Sequence, residues 1–417
     1  MTIPLCHLDI TKKITKEDPF EPCKLNRKKY AQILTDSLNI SQDGFVLALN
    51  NEWGTGKTTF LKMWQAYLES QSFKTLYFNA WENDPEEDVL LSLISEFINI
   101  NKSSNKYFTK LLNCAEPLSM SGLAKVSNAI SSGSFDSEAM RVLFSLIGTS
   151  ISISIENRVK EISQRKKSVT AFKKALEVYV KSKSKKKFVL IVDELDRCKP
   201  SYAVKVLETI KHLFVVPGIV FVLGIDKQQL CTAIRGYYGC NSFNAEEYLK
   251  RFIDIEYSLP CPASIEFTNY LLDYYKYSEF INSKSRWENT KTKQEVDDFY
   301  TFTRSLFTLK NVSLRNQERI LGHARLAITS VPVNHYIYPE LFIYLIFLRI
   351  THNTLYCKIR DSELNIKELI ESIDKILPDK IESPDLYIFL LNRLIYMYNL
   401  SRGVQKEELF IDNVRFH

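Results

Sequence analysis

The residues best placed to do chemistry lie in a short glycine-containing stretch near the N-terminus. An apolar run, Phe45-Val46-Leu47-Ala48-Leu49, precedes NEWGTGKTT at 51–59, and an amphipathic helical pattern follows it. A strand, a tight turn and a helix N-terminus in this order aim backbone N–H groups and the positive end of a helix dipole at one point. The stretch therefore predicts a loop that holds the phosphates of a nucleotide.

The pattern assigns separate roles to the residues of this loop. Lys57 is expected to reach the β- and γ-phosphates, and the Thr58 hydroxyl to hold Mg²⁺. The other residues expected to line the phosphates are Asn51, Glu52, Trp53, Gly54, Thr55, Gly56 and Thr59. Asn51 replaces the first glycine of G-x-x-x-x-G-K-[ST], and we expect it to adopt a positive φ, which Asn tolerates. A glycine-rich turn with an unrelated Lys-Thr pair is the alternative.

A second polar group follows another apolar run, Phe188-Val189-Leu190-Ile191-Val192. Open α/β sheets carry their sites at the carboxyl ends of the strands, which is where Asp193 and Glu194 fall. We expect Asp193 to support Mg²⁺, directly or through water, and Glu194 to act as the general base on the attacking water. Asp196 and Arg197 are open to two interpretations, an ion pair with each other or a part in function.

Two further acidic features have structural explanations. Asp226 ends the apolar run at 218–225, where it could sense the γ-phosphate or cap the next helix. In WENDPEED at 81–88, Asp84 is the expected helix cap, followed by Pro85 at the first helical position and by Glu87 of a capping box. Helix initiation therefore explains this acidic cluster without a metal.

Apolar runs of strand length alternate with helical patterns as far as residue 262. Five strands are predicted, at 45–49, 75–79, 188–192, 218–225 and 252–259. The alternation indicates an α/β fold with a parallel five-stranded core sheet flanked by helices. We expect one domain from 1–99 and 187–262, a mostly helical insertion at 100–186 between the second and third strands, and an all-α C-terminal part at 263–417.

The bulk composition is that of a globular chain. Hydrophobic residues make up 45% and charged residues 25%, and the net charge of +6 is too mild to indicate nucleic-acid binding by itself. The eight cysteines form no C-x-x-C pair, as expected in a reducing compartment. The apolar stretches at 142–155 and 341–350 are shorter than the roughly 20 residues of a spanning helix. Without a signal-peptide pattern at the N-terminus, we expect a cytoplasmic protein with no transmembrane span.

Basic residues are concentrated between 165 and 187, in Arg165-Lys166-Lys167 and in the run KSKSKKK at 181–187. Such clusters can contact the phosphates of nucleic acid or of anionic lipid. A solvated basic helix end before a buried strand explains them as well. Neither of the two clusters contains an aromatic residue, which favours the solvated helix end.

Several blocks together resemble the KAP P-loop NTPases, a branch of the ASCE group related to AAA+ and STAND proteins. The blocks are LNRKKYA at 25–31, EWGTGKT at 52–58, FNAWE at 78–82, DELDRC at 193–198 with PGIVFVLGID at 217–226, and EYLKRF at 247–252. The chain departs from the family pattern at Asn51, where Gly is usual, and at Glu194, where Asp is common. Clear membrane spans within the insertion are also lacking.

The resemblance implies ATP and Mg²⁺ as cofactors and two further site residues. Arg251 lies in the block where a basic residue acts as an arginine finger or sensor. Arg315, in VSLRNQER at 312–319, lies where a lid sensor would. Surface charge or an ion pair is the alternative for both. A finger supplied by a neighbour would imply a homo-oligomer.

Two functions fit these observations. The first is a Mg²⁺-dependent ATPase that drives or gates assembly of a larger complex; the resemblance places it in bacterial anti-phage defence, with protein partners encoded nearby. The alternative is a nucleotide-gated scaffold, a STAND-like switch that binds ATP to oligomerise with little turnover. A stand-alone nuclease has little support, because the six histidines form no H-x-x-x-H pair.

Overall fold

A computed structural model of the chain describes most of its residues. The described ranges are 10–38, 43–85, 88–100, 106–118, 155–183, 186–260, 264–281, 292–331, 338–377, 384–403, 410–411 and 414–415. They divide into two compact units. One unit holds Ile10–Trp53 and Lys57–Pro260, and the other holds Gly54–Gly56 with the described residues of 261–417.

The first unit is built on a five-stranded sheet in which every neighbouring pair is parallel. The strands are β1 (Phe45–Asn50), β2 (Lys74–Asn79), β3 (Phe188–Asp193), β4 (Ile219–Ile225) and β5 (Ile255–Tyr257). Their order across the sheet is β2-β3-β4-β1-β5. The α/β fold with a parallel five-stranded sheet is therefore confirmed.

Burial on both faces explains the continuous apolar strands. Every residue of β3 and β4 is buried, as expected for central strands of a parallel sheet covered by helices. Alternate residues of β1 face opposite cores: Val46 packs with one apolar cluster, and Leu47 with the other. Phe97 and Phe214 belong to the first cluster, and Trp64 to the second.

Helices occupy most of the sequence between these strands. Their bounds are Lys28–Leu38, Lys57–Ser70, Val89–Ile100, Lys106–Ala115, Ile155–Lys183, Pro200–Thr209, Lys227–Tyr238 and Ala245–Leu249. A π-helical turn, Ile210–Phe214, continues the helix that begins at Pro200. In the insertion, Phe108 and Tyr179 of two different helices pack with ring centroids 5.6 Å apart.

Two predicted boundaries are wrong for local reasons. The helix after β2 begins at Val89 and not after Asp84, because Asp88 is the residue whose side chain accepts the backbone N–H of Leu91, at 3.1 Å. The predicted partner Glu87 lies outside the described residues. The last strand covers only Ile255–Tyr257, since the side chain of Asp254 rather than its carbonyl accepts the Val46 N–H, at 2.8 Å.

The second unit is almost entirely helical in its described residues. Its helices are Ser264–Tyr274, Tyr277–Ile281, Thr292–Leu309, Leu314–Ile328, Pro339–Thr351, Asn353–Arg360, Ile366–Ile376 and Pro384–Ser401. The apolar stretch at 341–350 lies in one of them and contributes Ile343, Phe347 and Leu348 to the core. A two-residue antiparallel pair, Phe410–Ile411 with Val414–Arg415, is an addition that the sequence did not predict.

Among the described residues, no helix is long and apolar enough to cross a membrane. The predicted apolar stretch that starts at Val142 lies almost entirely in 119–154, outside the described residues.

Candidate nucleotide site

The register of the sheet gathers the predicted site at one edge. Asn79 at the end of β2 pairs with Asp193 at the end of β3, and Asp193 pairs with Gly224 of β4. Asn50 at the end of β1 pairs with Ile225, the residue before Asp226. The carboxyl ends of four neighbouring strands therefore place amide and carboxylate side chains side by side.

The phosphate loop leads from β1 into the helix Lys57–Ser70. Gly54 and Gly56 have φ values of 83° and 81°, which explains why glycine stands at these two positions. Thr58 and Thr59 follow Lys57 in the first helical turn and are half-buried. Lys57 is 8% exposed, and its Nζ donates a hydrogen bond to the carbonyl of Asn51 in the same loop. The lysine is thus folded back on the loop, close to where phosphates are expected.

The charges around Lys57 are mainly those of carboxylates. Burial lowers the pKa of its ammonium group, and the nearby carboxylates of Asp196, Asp226 and Asp193 oppose that shift. The three carboxylates outnumber the cations Lys57 and Arg197, so phosphates would bind here together with Mg²⁺, which offsets the negative charge.

Asn51 does not have the positive φ expected from the motif. It is absent from the described non-glycine residues with positive φ. Instead, its side-chain amide makes two hydrogen bonds with the backbone of Leu259: Nδ2 donates to the carbonyl at 2.8 Å, and Oδ1 accepts the N–H at 2.9 Å. Asn stands here because a side-chain amide can satisfy a donor and an acceptor together, which glycine cannot do.

This amide clamp predicts a stability effect at Asn51. Substitution Asn51→Ala leaves the N–H and the carbonyl of Leu259 without these partners, so the free energy of unfolding should fall by about 1–3 kcal/mol. Asn51→Asp is the comparison variant: it keeps the acceptor for the Leu259 N–H but sets a second oxygen against the Leu259 carbonyl, so it should be destabilised as well. Urea unfolding of the three proteins measures the difference. Equal stability of Asn51→Ala and the native chain would contradict the clamp.

The carboxylate of Asp193 is held on both oxygens. Tyr77 donates its phenol hydrogen to Oδ2 at 2.8 Å, and the backbone N–H of Glu194 donates to Oδ1 at 2.9 Å. Asp193 is 1% exposed, and a Cβ added at Gly224 would lie 2.7 Å from its Oδ1. Burial, together with the Asp193 charge, raises the pKa of the Tyr77 phenol, so Tyr77 stays a donor. The sequence analysis missed Tyr77, although it lies in β2 two residues before Asn79.

Removal of that phenol should weaken metal support by Asp193. Mutation of a partner that orients a metal-binding carboxylate typically lowers metal affinity or activity by about 10–100-fold. We expect Tyr77→Phe to need a higher Mg²⁺ concentration to reach half of its maximal ATP binding. The fold should remain intact, because the aromatic ring is kept. Titration with Mg²⁺ at fixed ATP measures this. Tyr67→Phe on the neighbouring helix is the control, and an equal shift in both variants would contradict the role of Tyr77.

Glu194 has an unusual backbone and a restrained side chain. Its φ of 61° lies in the left-handed region, which is uncommon for non-glycine residues, although five other described non-glycine residues of this chain adopt it. Its carboxylate pairs with Arg197 at 2.8 Å and is also hydrogen-bonded by the side chain of Asn79. Burial raises the pKa of this carboxyl, Arg197 opposes that shift and Asp193 adds to it. A carboxylate with a raised pKa is suited to take a proton from water.

Of the two interpretations of Asp196 and Arg197, the structure does not show the ion pair with each other, since each side chain faces a different partner. Arg197 pairs with Glu194, and its guanidinium lies 5.9 Å from the ring centre of Trp81. Asp196, 7% exposed, accepts a hydrogen bond from the indole N–H of Trp53. The two residues belong to the 3₁₀ turn Leu195–Arg197, on which adjacent side chains point in different directions.

Asp226 combines two contacts. One carboxylate oxygen accepts the N–H of Gln229 at 3.3 Å, so Asp226 caps the helix Lys227–Tyr238 as one of the two interpretations predicted. The other accepts the backbone N–H of Trp53 at 3.2 Å, which fixes the phosphate loop to the end of β4. Both contacts are structural, and a part in sensing the γ-phosphate stays a prediction.

The remaining predicted residues are Arg251, Arg315 and Glu52. Arg251 is exposed, and its guanidinium lies 5.9 Å from the ring centre of Tyr248. Arg315 lies in the first turn of the helix Leu314–Ile328, after the cap Ser313, and its backbone N–H donates a hydrogen bond to the carbonyl of Gly54 in the phosphate loop at 3.3 Å. Glu52 is exposed in the loop. Roles for these three residues stay predictions.

The donor set fits a magnesium nucleotide better than a metal bound by protein alone. Within the described residues, no group of three or more His, Cys, Asp or Glu side chains could hold a metal ion. Mg²⁺ is commonly bound by one or two protein oxygens together with substrate phosphates and water. The hydroxyl of Thr58 and the carboxylate of Asp193 would supply such oxygens.

A phosphate loop at a helix N-terminus, with acidic residues at the end of a neighbouring strand of a parallel sheet, defines a P-loop NTPase. The model of the KAP family P-loop domain matches residues 27–329. The chain belongs to this family of P-loop proteins, and this membership supports nucleotide binding.

Other relatives are distant. A segment of 83 residues, 20% of this chain, is 26% identical to the phage T7 exclusion protein of Escherichia coli (strain K12), and it spans only 11% of that protein. The Aeropyrum pernix ORC2 protein, solved as ADPNP-ADP complexes, is 13% identical with a TM-score of 0.38, over 91% of this chain and 86% of that one. Drosophila ORC bound to GC-rich DNA and Cdc6 is 12% identical with a TM-score of 0.34, over 96% and 54%. The two structural similarities are too weak to carry an inference about function.

Proposed function

We propose that the protein is a Mg²⁺-dependent ATPase of the KAP type whose turnover drives or gates assembly of a larger complex. The observation that carries the proposal is Glu194, a restrained carboxylate with a raised pKa directly after Asp193 and at the same sheet edge as Lys57. Lys57 would bind the β- and γ-phosphates, Thr58 and Asp193 would support the metal, and Glu194 would take a proton from the attacking water.

Phosphate release by the purified chain tests this proposal. With MgATP, we expect release that saturates with ATP and stops when EDTA removes the metal. GTP in place of ATP decides the base preference. Release no faster than that of a protein-free control at saturating MgATP would contradict an ATPase. Binding without turnover would leave the scaffold described next.

A nucleotide-gated scaffold is the second candidate, and the restrained site favours it. Glu194 is engaged by Arg197, and Lys57 donates to a carbonyl of its own loop. Phosphates that bind the ammonium group of Lys57 would add to its contact with the loop or replace it, so binding itself could change the state of the molecule. Light scattering after size exclusion, with and without a non-hydrolysable ATP analogue, tests this. A mass that rises with the analogue supports the scaffold, and an unchanged mass contradicts it.

The biological setting is the least direct part of the proposal. It rests on the family and on the partial match to a phage exclusion protein. We propose a cytoplasmic role in anti-phage defence with protein partners encoded nearby, and a homo-oligomer in which Arg251 of one copy serves the site of the next. Plaque counts on cells carrying the native genes or a Lys57→Ala variant test this role. Equal plaque counts would contradict it.

A further inference from the structure

Trp53, a residue of the phosphate loop, ties the loop to two carboxylates outside it. The Trp53 side chain is 44% exposed, yet two of its hydrogen-bond donors are engaged. The indole N–H donates to Asp196, and the backbone N–H donates to Asp226 at 3.2 Å. Because so much of the ring lies in solvent, these polar contacts fix the residue more than packing does. Both acceptors are buried carboxylates, which makes the contacts charge-assisted.

The contact with Asp196 leads directly to the candidate base. Asp196 and Arg197 are neighbours in the 3₁₀ turn Leu195–Arg197, which follows Glu194 without a linker. Asp196 holds the loop through Trp53, while Arg197 holds the carboxylate of Glu194 at 2.8 Å. One rigid turn therefore carries a contact to the phosphate loop and a contact to the base. A contiguous chain of bonded groups is the physical route by which one site can bias another.

The charge of Asp196 makes this contact sensitive to nucleotide. A buried carboxylate is costly unless it has partners, and those of Asp196 include the Trp53 indole and the charge of Lys57. Phosphate oxygens would compete with Asp196 for the ammonium group of Lys57. Once the phosphates hold Lys57, Asp196 depends more on Trp53, and the loop and the turn are drawn together.

We propose that Trp53 and Asp196 are positioning residues that couple occupancy of the phosphate loop to the placement of Glu194. The proposal rests on the proposed function, because coupling matters only if Glu194 acts on bound nucleotide. Neither residue needs to touch the reacting atoms. Their bond orients the turn from which Glu194 is held.

Indole resonances test the contact without any turnover. The chain has four tryptophans, so ¹⁵N-tryptophan labelling gives at most four indole N–H signals, and loss of one in Trp53→Phe assigns it. We expect Asp196→Ala to shift that signal and speed its solvent exchange. Asp196→Asn should preserve it, because an amide oxygen accepts the same bond. MgATP should shift it in the native chain. A Trp53 signal unchanged by Asp196→Ala, or unchanged by saturating MgATP, would overturn the proposal.

Kinetics test the coupling. Loss of a hydrogen bond to a charged group can lower a rate by about ten- to hundredfold. Trp53→Phe and Asp196→Ala should therefore each lower kcat by about this factor and change KM less. The double variant should lose no more than either single one, as expected for partners in one contact. Tyr237→Phe, which removes one polar atom from another exposed ring, is the control. Additive losses, or losses confined to KM, would overturn the coupling.

A native chain without turnover would contradict the proposed function. The indole signal would still show whether Trp53 contacts Asp196.

Discussion

Glu194→Gln should bind ATP with nearly native affinity and lose about 10²–10⁴-fold of its hydrolysis rate, the range that general bases contribute. The amide keeps the size of the side chain and its capacity to accept a hydrogen bond from Asn79, but it cannot take a proton from water. Initial rates across an ATP series separate the two effects. A fall in kcat with little change in KM is the expected signature.

The pH profile gives a second expectation for the same residue. A general base works only when deprotonated, and burial raises the pKa of Glu194. Activity should therefore be lost on acidification at a higher pH than an ordinary glutamate would give. Glu177→Gln, which changes a half-buried carboxylate paired with Lys181 in the helix Ile155–Lys183, is the matched control and should keep both rate and profile. A Glu194→Gln variant with native kcat would contradict the assignment of the base.

Lys57→Ala should abolish the stabilisation of the protein by ATP. Charged hydrogen bonds from this lysine to phosphates are worth enough to weaken binding by about 10²-fold when they are lost. A ligand that binds only the folded state raises the melting temperature in proportion to the logarithm of its concentration over Kd. Thermal unfolding with and without MgATP should therefore show a rise for the native chain and little for the variant.

Lys57→Ala also loses the hydrogen bond from Lys57 to the carbonyl of Asn51, so its melting temperature without ATP is expected to differ from that of the native chain. The comparison is the ATP-dependent change within each protein, which removes any difference in the starting temperature. Lys74→Ala, at the exposed start of β2, is the matched control for loss of a lysine and should respond to ATP as the native chain does. An equal rise in Lys57→Ala would contradict a phosphate contact.

The fold was predictable because the sheet is central and buried. Continuous apolar runs such as β3 and β4 occur where both faces are covered, and each run ended at a residue with a polar role. The exposed edge was harder. In β5 two of three residues are exposed, so no apolar pattern marks its short extent. The start of the helix at Val89 was missed because Asp84 and Asp88 are equally good caps by type alone.

At the site, the sequence predicted which residues take part, but not which partners their side chains contact. Lys57, Asp193 and Glu194 follow from a local motif and from strand ends. The direction of a side chain depends on neighbours far away in sequence. Asn51 bonds Leu259 across 208 residues, and Trp53 reaches Asp196 across 143. Tyr77 could have been found from the sequence, since alternation along β2 places it on one face and two residues before Asn79.

Calorimetric titration of MgATP into the native chain tests the central claim most directly, because it counts nucleotide sites without requiring turnover. If the edge of the sheet around Lys57 is the nucleotide site, the titration shows one site per chain, and Lys57→Ala shows no saturable heat at the same concentrations. No binding by the native chain, or the same heat from the variant, would contradict it.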